Sequence, residues 1–203
     1  MLKKLISPFI IALIILPVTG HADLLVGINV GKSLSAEMEL DGSRSSMLTA
    51  DTDNTSFSAY IGSKSHKNNR ISIGFESISI DLKDYSDKPT ATGVRFDVDF
   101  VYTEQKVKPY WGIGFGVYSL KDSPVLVGTT GEGDSQKGFS FQAKAGTKIE
   151  LVKKIEFDLS LQYQTFVWQD VEITTPGGII PRKETYSLSN DQLTIGAGIA
   201  FIF

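Results

Sequence analysis

Apolar and polar residues alternate along most of this chain with the period of two that is typical of a β-strand. The segment 93–103 shows the pattern most clearly, because one face carries valine, phenylalanine and tyrosine while the other carries Arg95, Asp97 and Asp99. The segment 155–168 repeats it. The pattern predicts eight strands, near 24–38, 55–65, 70–82, 93–103, 109–120, 138–150, 155–168 and 191–203.

The connections between these strands differ in length in an ordered way. Those after the second, fourth and sixth strands are short and polar, at 66–69, 104–108 and 151–154. The remaining ones are longer, and those at 39–54, 121–137 and 169–190 are rich in Gly, Pro, Asp, Ser and Thr. Short turns at one end and long loops at the other are typical of transmembrane barrels, whose short turns face the periplasm. The expected fold is therefore all-β, an eight-stranded antiparallel up-and-down transmembrane β-barrel.

Alternation alone does not say which face points outward, since a soluble lipocalin-like barrel also alternates but buries its apolar face. Recurrence of the charged face, a terminal Phe and aromatic residues near the strand ends favour the transmembrane form. The glycines of the fifth strand, Gly112, Gly114 and Gly116, would then leave space inside for long side chains. The expected aromatic girdles are Tyr102, Tyr110, Trp111, Phe201 and Phe203 at the periplasmic side, and Phe57, Tyr118, Phe139 and Trp168 at the outer side.

Two places depart from the pattern. In the third strand the apolar residues change from odd positions, ending at Phe75, to even positions, beginning at Ile78, which suggests a β-bulge near Glu76 and Ser77. Lys32 falls on the lipid-facing side of the first strand, where a charge at the membrane midplane would cost about 2–4 kcal/mol. We therefore expect Lys32 near the outer interface, with its stem extended toward lipid phosphates.

The amino-terminal segment has the features of a secretory signal. Lys3 and Lys4 precede an apolar run from Leu5 to Leu16, and small residues around Ala22 suit cleavage after that residue. The expected organisation is a cleaved signal peptide at 1–22 and a barrel domain at 23–203. Cleavage removes two lysines, so the formal net charge falls from −3 to −5, which argues against nucleic-acid binding. The chain has no cysteine, which excludes disulfides and thiolate metal sites.

The last strand alternates up to an aromatic end, with Gly198, Phe201 and Phe203 spaced as in the assembly signal of outer-membrane β-barrels. Here the chain resembles the small outer-membrane barrels typified by opacity proteins and the barrel of outer-membrane protein A. The resemblance implies the bacterial outer membrane, with its lipid and lipopolysaccharide and the barrel-assembly machinery as partners. Known members include adhesins, envelope-stabilising proteins, small channels and a few lipid-modifying enzymes.

The polar faces of the strands predict a charged interior. Charges enclosed in a narrow lumen must be paired or hydrated, because an unpaired one costs several kcal/mol. Gln142, Gln162 and Gln164 are expected to bridge the charged groups. If the ion pairs are tight the network is a plug, and if they part it lines a narrow gated ion path. The expected charged residues of this network are Glu76, Arg95, Asp97, Asp99, Lys144, Lys148, Glu156 and Asp158.

Catalytic chemistry is not indicated. Lipid A deacylases and palmitoyltransferases use a histidine with a serine near the outer leaflet, but His66 lies in a short turn expected to face the periplasm. No cofactor and no metal site is expected. A lipid A-modifying enzyme ranks third, after a narrow porin-like channel.

The long loops are the remaining candidates for function, since rigid scaffolds commonly carry binding residues there. Two loops carry apolar residues at their tips, Val125, Leu126 and Val127 in one and Ile179 and Ile180 in the other, followed by Arg182 and Lys183. Such residues suggest contact with a host or envelope surface protein or with lipopolysaccharide, or else packing of the tips on each other. The expected function is non-enzymatic: surface interaction, or an envelope-stabilising scaffold.

Overall fold

The computed structural model describes residues 23–42, 48–65, 69–82, 88–122, 135–175 and 182–203. They form nine strands: β1 (Asp23–Gly42), β2 (Leu48–Lys64), β3 (Arg70–Leu82), β4 (Thr90–Val101), β5 (Val107–Lys121), β6 (Ser135–Val152), β7 (Ile155–Trp168), β8 (Val171–Thr175) and β9 (Arg182–Ile202). None of these residues belongs to a helix that is long and apolar enough to cross a membrane.

Eight of the strands close into a ring. Each pairs antiparallel with the next, β7 pairs with β9, and β9 returns to pair with β1 from Leu25–Ile202 to Gly42–Tyr186. The short β8 pairs with the first residues of β9 and forms a hairpin beyond the ring. The predicted eight-stranded antiparallel barrel is therefore confirmed. Closure gives each barrel strand a hydrogen-bonded neighbour on both sides, as a wall that crosses lipid requires.

The two faces of the wall show which barrel type this is. Charged residues of β4, such as Asp97 and Asp99, point inward and are buried, while Val94 points outward and is 47% exposed. This is the reverse of a soluble barrel and fits a wall in contact with lipid. The outward apolar residues form a belt around the ring: Val26, Ile28, Val30, Phe57, Ile61, Ile71, Phe75, Val94, Trp111, Ile113, Phe115, Val117, Phe139, Phe141, Leu159, Leu161, Tyr163, Val167, Ile195, Ile199 and Phe201.

The pattern inverts at the long-loop end of the ring. Beyond the belt the outward residues become polar, as at Thr92 and Ser119, and the inward residues become apolar, as at Leu120. We call this projecting part the collar. Its interior is a core in which Phe166 stacks on Trp168 with ring centroids 5.5 Å apart. The core residues are Met38, Ile78, Ile80, Leu82, Ala91, Tyr118, Leu120, Phe166, Trp168 and Leu188.

This inversion explains the phase switch in β3, where the predicted bulge is wrong. The register of β3 against β2 runs without a shift from Arg70 to Leu82, and its register against β4 is also continuous. Ile71 and Phe75 face outward in the belt, whereas Ile78 and Ile80 face inward in the collar core. The apolar residues change faces because the surroundings change from lipid to water, not because the strand is kinked.

A bulge does occur in β1, at a place the sequence did not indicate. The pairing of β1 with β9 shifts between Ser33 and Ser35, which leaves Leu34 as the extra residue, 61% exposed. The inward positions change from odd to even after it, so that Met38 joins the collar core. Without the extra residue, Glu37 would point into that core, where an unpaired carboxylate is costly.

The connections have the predicted polarity, but several strands are longer than expected. At the short-turn end β6 and β7 are joined by Lys153 and Lys154 alone, the latter with a φ of 76°. At the other end β1, β2 and β9 run well into segments that we predicted as loops. Apolar residues on the lipid-facing side mark a strand in the sequence, and this mark ends where the outer face becomes polar although the strand continues.

Candidate functional site: the closed interior

The interior within the belt is filled by ion pairs arranged in layers. At the short-turn end Glu156 forms an ion pair with Arg70 at 2.5 Å and accepts a hydrogen bond from Lys108 at 2.6 Å. Lys108 also contacts Glu150 at 3.0 Å. The side chains of Arg70, Lys108 and Glu156 are at most 4% exposed, so this layer closes the barrel at that end.

The middle layer is built on two lysines of β6. The Nζ of Lys144 lies 3.2 Å from Asp97 and 2.9 Å from Asp99. The Nζ of Lys148 lies 3.1 Å from Asp99, bonds Asp158, and stands 3.8 Å above the ring of Tyr110. Each lysine thus joins two carboxylates, which neutralises charges that would be costly alone in this enclosed space.

The upper layer connects the ion pairs to the collar. Arg95 donates to Asp97 at 2.8 Å and to Glu76 at 2.7 Å. The Tyr118 hydroxyl donates to the other oxygen of Glu76, while its ring belongs to the collar core. A chain of amides continues across the lumen, in which Gln192 donates to Gln164 at 2.9 Å, and Asn54 donates to Gln192 at 2.8 Å.

Charges of the two signs balance in this inner network. Its cations are Arg70, Arg95, Lys108, Lys144 and Lys148, and its buried carboxylates are Glu76, Asp97, Asp99, Glu156 and Asp158. Every one of these groups has an opposite charge within salt-bridge distance. Fully paired groups hold one arrangement of the lumen rather than a set of alternatives.

The glycines of β5 make the middle layer possible, as predicted. A Cβ on Gly112 would lie 2.6 Å from the Oδ1 of Asp99. One on Gly114 would lie 2.6 Å from the Nε2 of Gln142 and 2.7 Å from the Oδ1 of Asp97. At these two positions the inner side of β5 is therefore bare backbone, and the long side chains of β4 and β6 occupy the space.

One small polar cavity lies among these layers. It has room of about 30 Å³ and is lined by residues that include Tyr60, Arg70, Asp99, Lys148 and Asp158. A site of this size holds one or two water molecules. It is far smaller than a path for a hydrated ion, as expected for eight strands, which enclose little more than their own side chains.

Comparison with known proteins supports this architecture. No protein-family model and no curated protein sequence matches the chain. Among solved structures, the outer membrane protein OprG of Pseudomonas aeruginosa is similar with a TM-score of 0.61 and 11% identity, over 90% of this chain and 96% of that one. Neisserial surface protein A is similar with a TM-score of 0.54 and 14% identity, over 91% and 100% of the two chains.

A third structure agrees: OprH of Pseudomonas aeruginosa has a TM-score of 0.51 and 17% identity, over 90% of this chain and all of that one. This is the fold of a small bacterial outer-membrane β-barrel. Identities this low bear on the fold alone, so what the barrel does must be argued from its own residues.

The structure brings all eight predicted interior residues to the inner face of the barrel and adds several that we missed. Arg70, Lys108 and Glu150 lie at strand ends, and Lys108 lies in the segment 104–108, which the sequence predicts to be a turn. Tyr60 also lines the cavity. The alternation indicates an inward position for Tyr60 and Lys108, because both lie at even positions in strands whose even-numbered residues face the interior.

The prediction of an aromatic girdle position is wrong for three residues. Tyr110, Tyr118 and Trp168 are 3–4% exposed and point inward. In β5 the two tyrosines have the same parity as the inward glycines, so alternation overrides the preference of aromatic residues for interfaces. The other predicted girdle residues do face outward: Phe57, Tyr102, Trp111, Phe139, Phe201 and Phe203.

Lys32 lies at the edge of the belt, opposite Thr55 on one side and the belt residue Ile195 on the other, and its ammonium bonds Asp53. The prediction of an interface position fits this placement, but the contact in the structure is a carboxylate.

Several loop and turn predictions fall outside the described residues: Val125, Leu126, Val127, Ile179, Ile180 and His66. Arg182 and Lys183 begin β9 as backbone, and their side chains are not described. Within the described ranges, no group of three or more His, Cys, Asp or Glu side chains could hold a metal ion.

Proposed function

We propose that this protein is a non-enzymatic, integral outer-membrane barrel with a closed interior, a rigid scaffold that presents its collar and loops for surface contact. The observation that carries this proposal is the inner network, which lines the lumen with paired charges around a cavity that has room for about one or two waters. A lumen closed in this way favours anchoring and envelope stability over transport.

Two seals in series support the closed state. The first is the ion-pair layers within the belt, and the second is the apolar collar core above them, where Phe166 is 1% exposed and Leu120 is fully buried. The collar core opposes the passage of ions in particular, because an ion path needs polar contacts that an apolar constriction does not give. Opening one seal would leave the other closed.

The route to the membrane is part of the proposal. Residues 1–22 act as a signal peptide cleaved after Ala22, and the last strand, with Gly198, Phe201 and Phe203, presents the barrel to the assembly machinery. Phe201 of β9 faces outward, Phe203 directly after the strand is exposed, and Gly198 faces inward, so the two aromatic rings are accessible to a partner. Intact mass of the protein from outer-membrane fractions would check the cleavage site.

Single-channel recording in planar bilayers tests the closed state. We expect the refolded mature barrel to be silent, and Lys144→Ala to be silent as well because the collar core still closes the lumen. Combining Lys144→Ala with Trp168→Ala weakens both seals, so steps should appear first in this double variant. Regular steps in the wild-type protein would contradict the proposal.

A narrow gated channel is the second candidate. The cavity favours it, because a polar space with room for about two waters lies midway along the lumen, between the layers of Glu156 and Asp97. Steps in the wild-type protein that grow in Lys144→Ala alone would support this function. A lipid A-modifying enzyme would require deacylation or acylation of lipid A by the pure protein.

A further inference from the structure

Short hydroxyl side chains line the outside of the collar directly beyond the belt. Ser77, Thr92 and Ser119 are paired neighbours on β3, β4 and β5, and they end on Lys137 of β6. One step further out, Thr55, Ser79 and Thr90 form a parallel row from β2 to β4 that continues to Lys121 of β5 and Ser135 of β6. These nine residues are called the hydroxyl arc.

The arc lies on the outer surface of the wall. Its residues have the outward parity of their strands; Thr55, Ser135 and both lysines are exposed, and the other hydroxyl residues are half-buried. From β2 to β6 it extends over about 19 Å, at about 4.8 Å per strand. Its inner row follows immediately on belt residues such as Val117 and Phe139, so a lipid whose chains lie on the belt would hold its headgroup against the arc.

Charge distinguishes this sector from the rest of the collar. On the opposite side Glu37 is paired in register with Asp51 on one neighbour and Asp191 on the other, which makes that sector acidic. The collar cations there and at the edge of the arc have partners, since Lys32 bonds Asp53 and Lys88 bonds Asp81. Lys121 and Lys137 are exposed on the outer face of the arc, which favours anionic headgroups there.

We propose that the hydroxyl arc binds the headgroup of a phosphorylated glycolipid of the outer leaflet. The lysines pair with phosphate, and the hydroxyls donate to phosphate or carbonyl oxygens and accept from sugar hydroxyls, since each hydroxyl is both donor and acceptor. A row of hydroxyls suits a sugar headgroup better than a glycerophospholipid, which offers fewer donors. The inference rests on the proposed membrane orientation but not on the closed lumen.

Native mass spectrometry of the full mature barrel in neutral detergent tests this site, with diphosphoryl lipid A as the probe. The variant Lys121→Gln/Lys137→Gln should weaken binding about tenfold, as expected for the loss of two exposed charge-assisted contacts. The matched control, Lys153→Gln/Lys154→Gln at the short-turn end, should bind as the wild type does. A triple variant, Ser77→Ala/Thr92→Val/Ser119→Ala, should also weaken binding while keeping both charges.

The outcomes distinguish binding of a glycolipid from binding of another phospholipid, of free phosphate, or by any pair of lysines. Equal weakening by the control would mean attraction by any lysine pair and would overturn the site. Phosphatidylglycerol binding as tightly as lipid A, or displacement of lipid A by millimolar inorganic phosphate, would overturn the glycolipid preference. Heat-dependent migration on gels confirms that each variant is folded. Channel steps in the conductance experiment would reject the closed lumen and leave this site standing.

Discussion

Tyr118 donates its hydroxyl to Glu76 inside the barrel, and its ring meets Phe166 edge-on at 5.1 Å between centroids. One side chain thus belongs to both seals, because the hydroxyl completes the ion-pair network and the ring completes the collar core. Gly93 makes this possible, since a Cβ there would lie 2.5 Å from the Tyr118 ring.

Tyr118→Phe should separate the two roles. The ring still packs on Phe166, but Glu76, which is 3% exposed, loses a donor, so the free energy of unfolding should fall by about 1–3 kcal/mol. Urea unfolding of the refolded barrel measures this. The control Tyr102→Phe, at a tyrosine that is 72% exposed, should leave stability unchanged. Equal stability of both variants would show that the hydroxyl contact contributes nothing.

Lys144→Met should be among the more damaging single changes in the lumen. It leaves Asp97 and Asp99 without the ammonium that joins them, and removing one partner of a buried ion pair costs about 3–5 kcal/mol. Adding Asp99→Asn should restore part of the loss, because one uncompensated charge is then removed. Guanidinium unfolding gives the values. Lys137→Met, on the exposed outer face, is the matched control and should change stability by less than about 0.5 kcal/mol.

Fluorescence distinguishes the two tryptophans. Trp111 is 42% exposed in the belt, whereas Trp168 is 3% exposed inside the collar. In bilayers containing brominated lipid we expect strong quenching when Trp111 alone remains, in Trp168→Phe, and weak quenching when Trp168 alone remains, in Trp111→Phe. Equal quenching would place Trp168 in the outer girdle, as its residue type first suggested, and would contradict the collar.

Phe203→Ala tests the proposed assembly signal. The ring is 65% exposed, so refolding in vitro should lose only about 1 kcal/mol of stability or less. In cells the amount of folded, heat-modifiable barrel in outer-membrane fractions should fall. Val152→Ala, at a residue that is 57% exposed at the same end, should leave that amount unchanged. Parallel losses in both variants would indicate a general effect of the apolar rim.

Period-two alternation predicted the ring and the inner face of β4, because in a strand the parity of a residue fixes the face it occupies. The prediction for Tyr110 was wrong because it followed the preference of tyrosine for membrane interfaces and not the position of Tyr110 in the alternation. The inward positions of β1 were also missed beyond Leu34, because this one extra residue exchanges the inward and outward positions. Nothing in the local sequence marks Leu34 as the extra residue; its effect appears only when Met38 and Glu37 are placed against their neighbours. The ends of β2 and β9 were missed because both faces change character there.

The change of faces along β3 also shows how far this strand extends above the apolar belt. From Phe75, the last belt residue, to Leu82, the last residue of the strand, the chain rises about 23 Å along the strand, or roughly 18 Å along the barrel axis at the usual tilt. Lipid headgroups occupy about 5–8 Å on each side of a bilayer. The end of β3 therefore stands well clear of the headgroups, at a level where a partner in the surrounding water, rather than the lipid itself, is within reach.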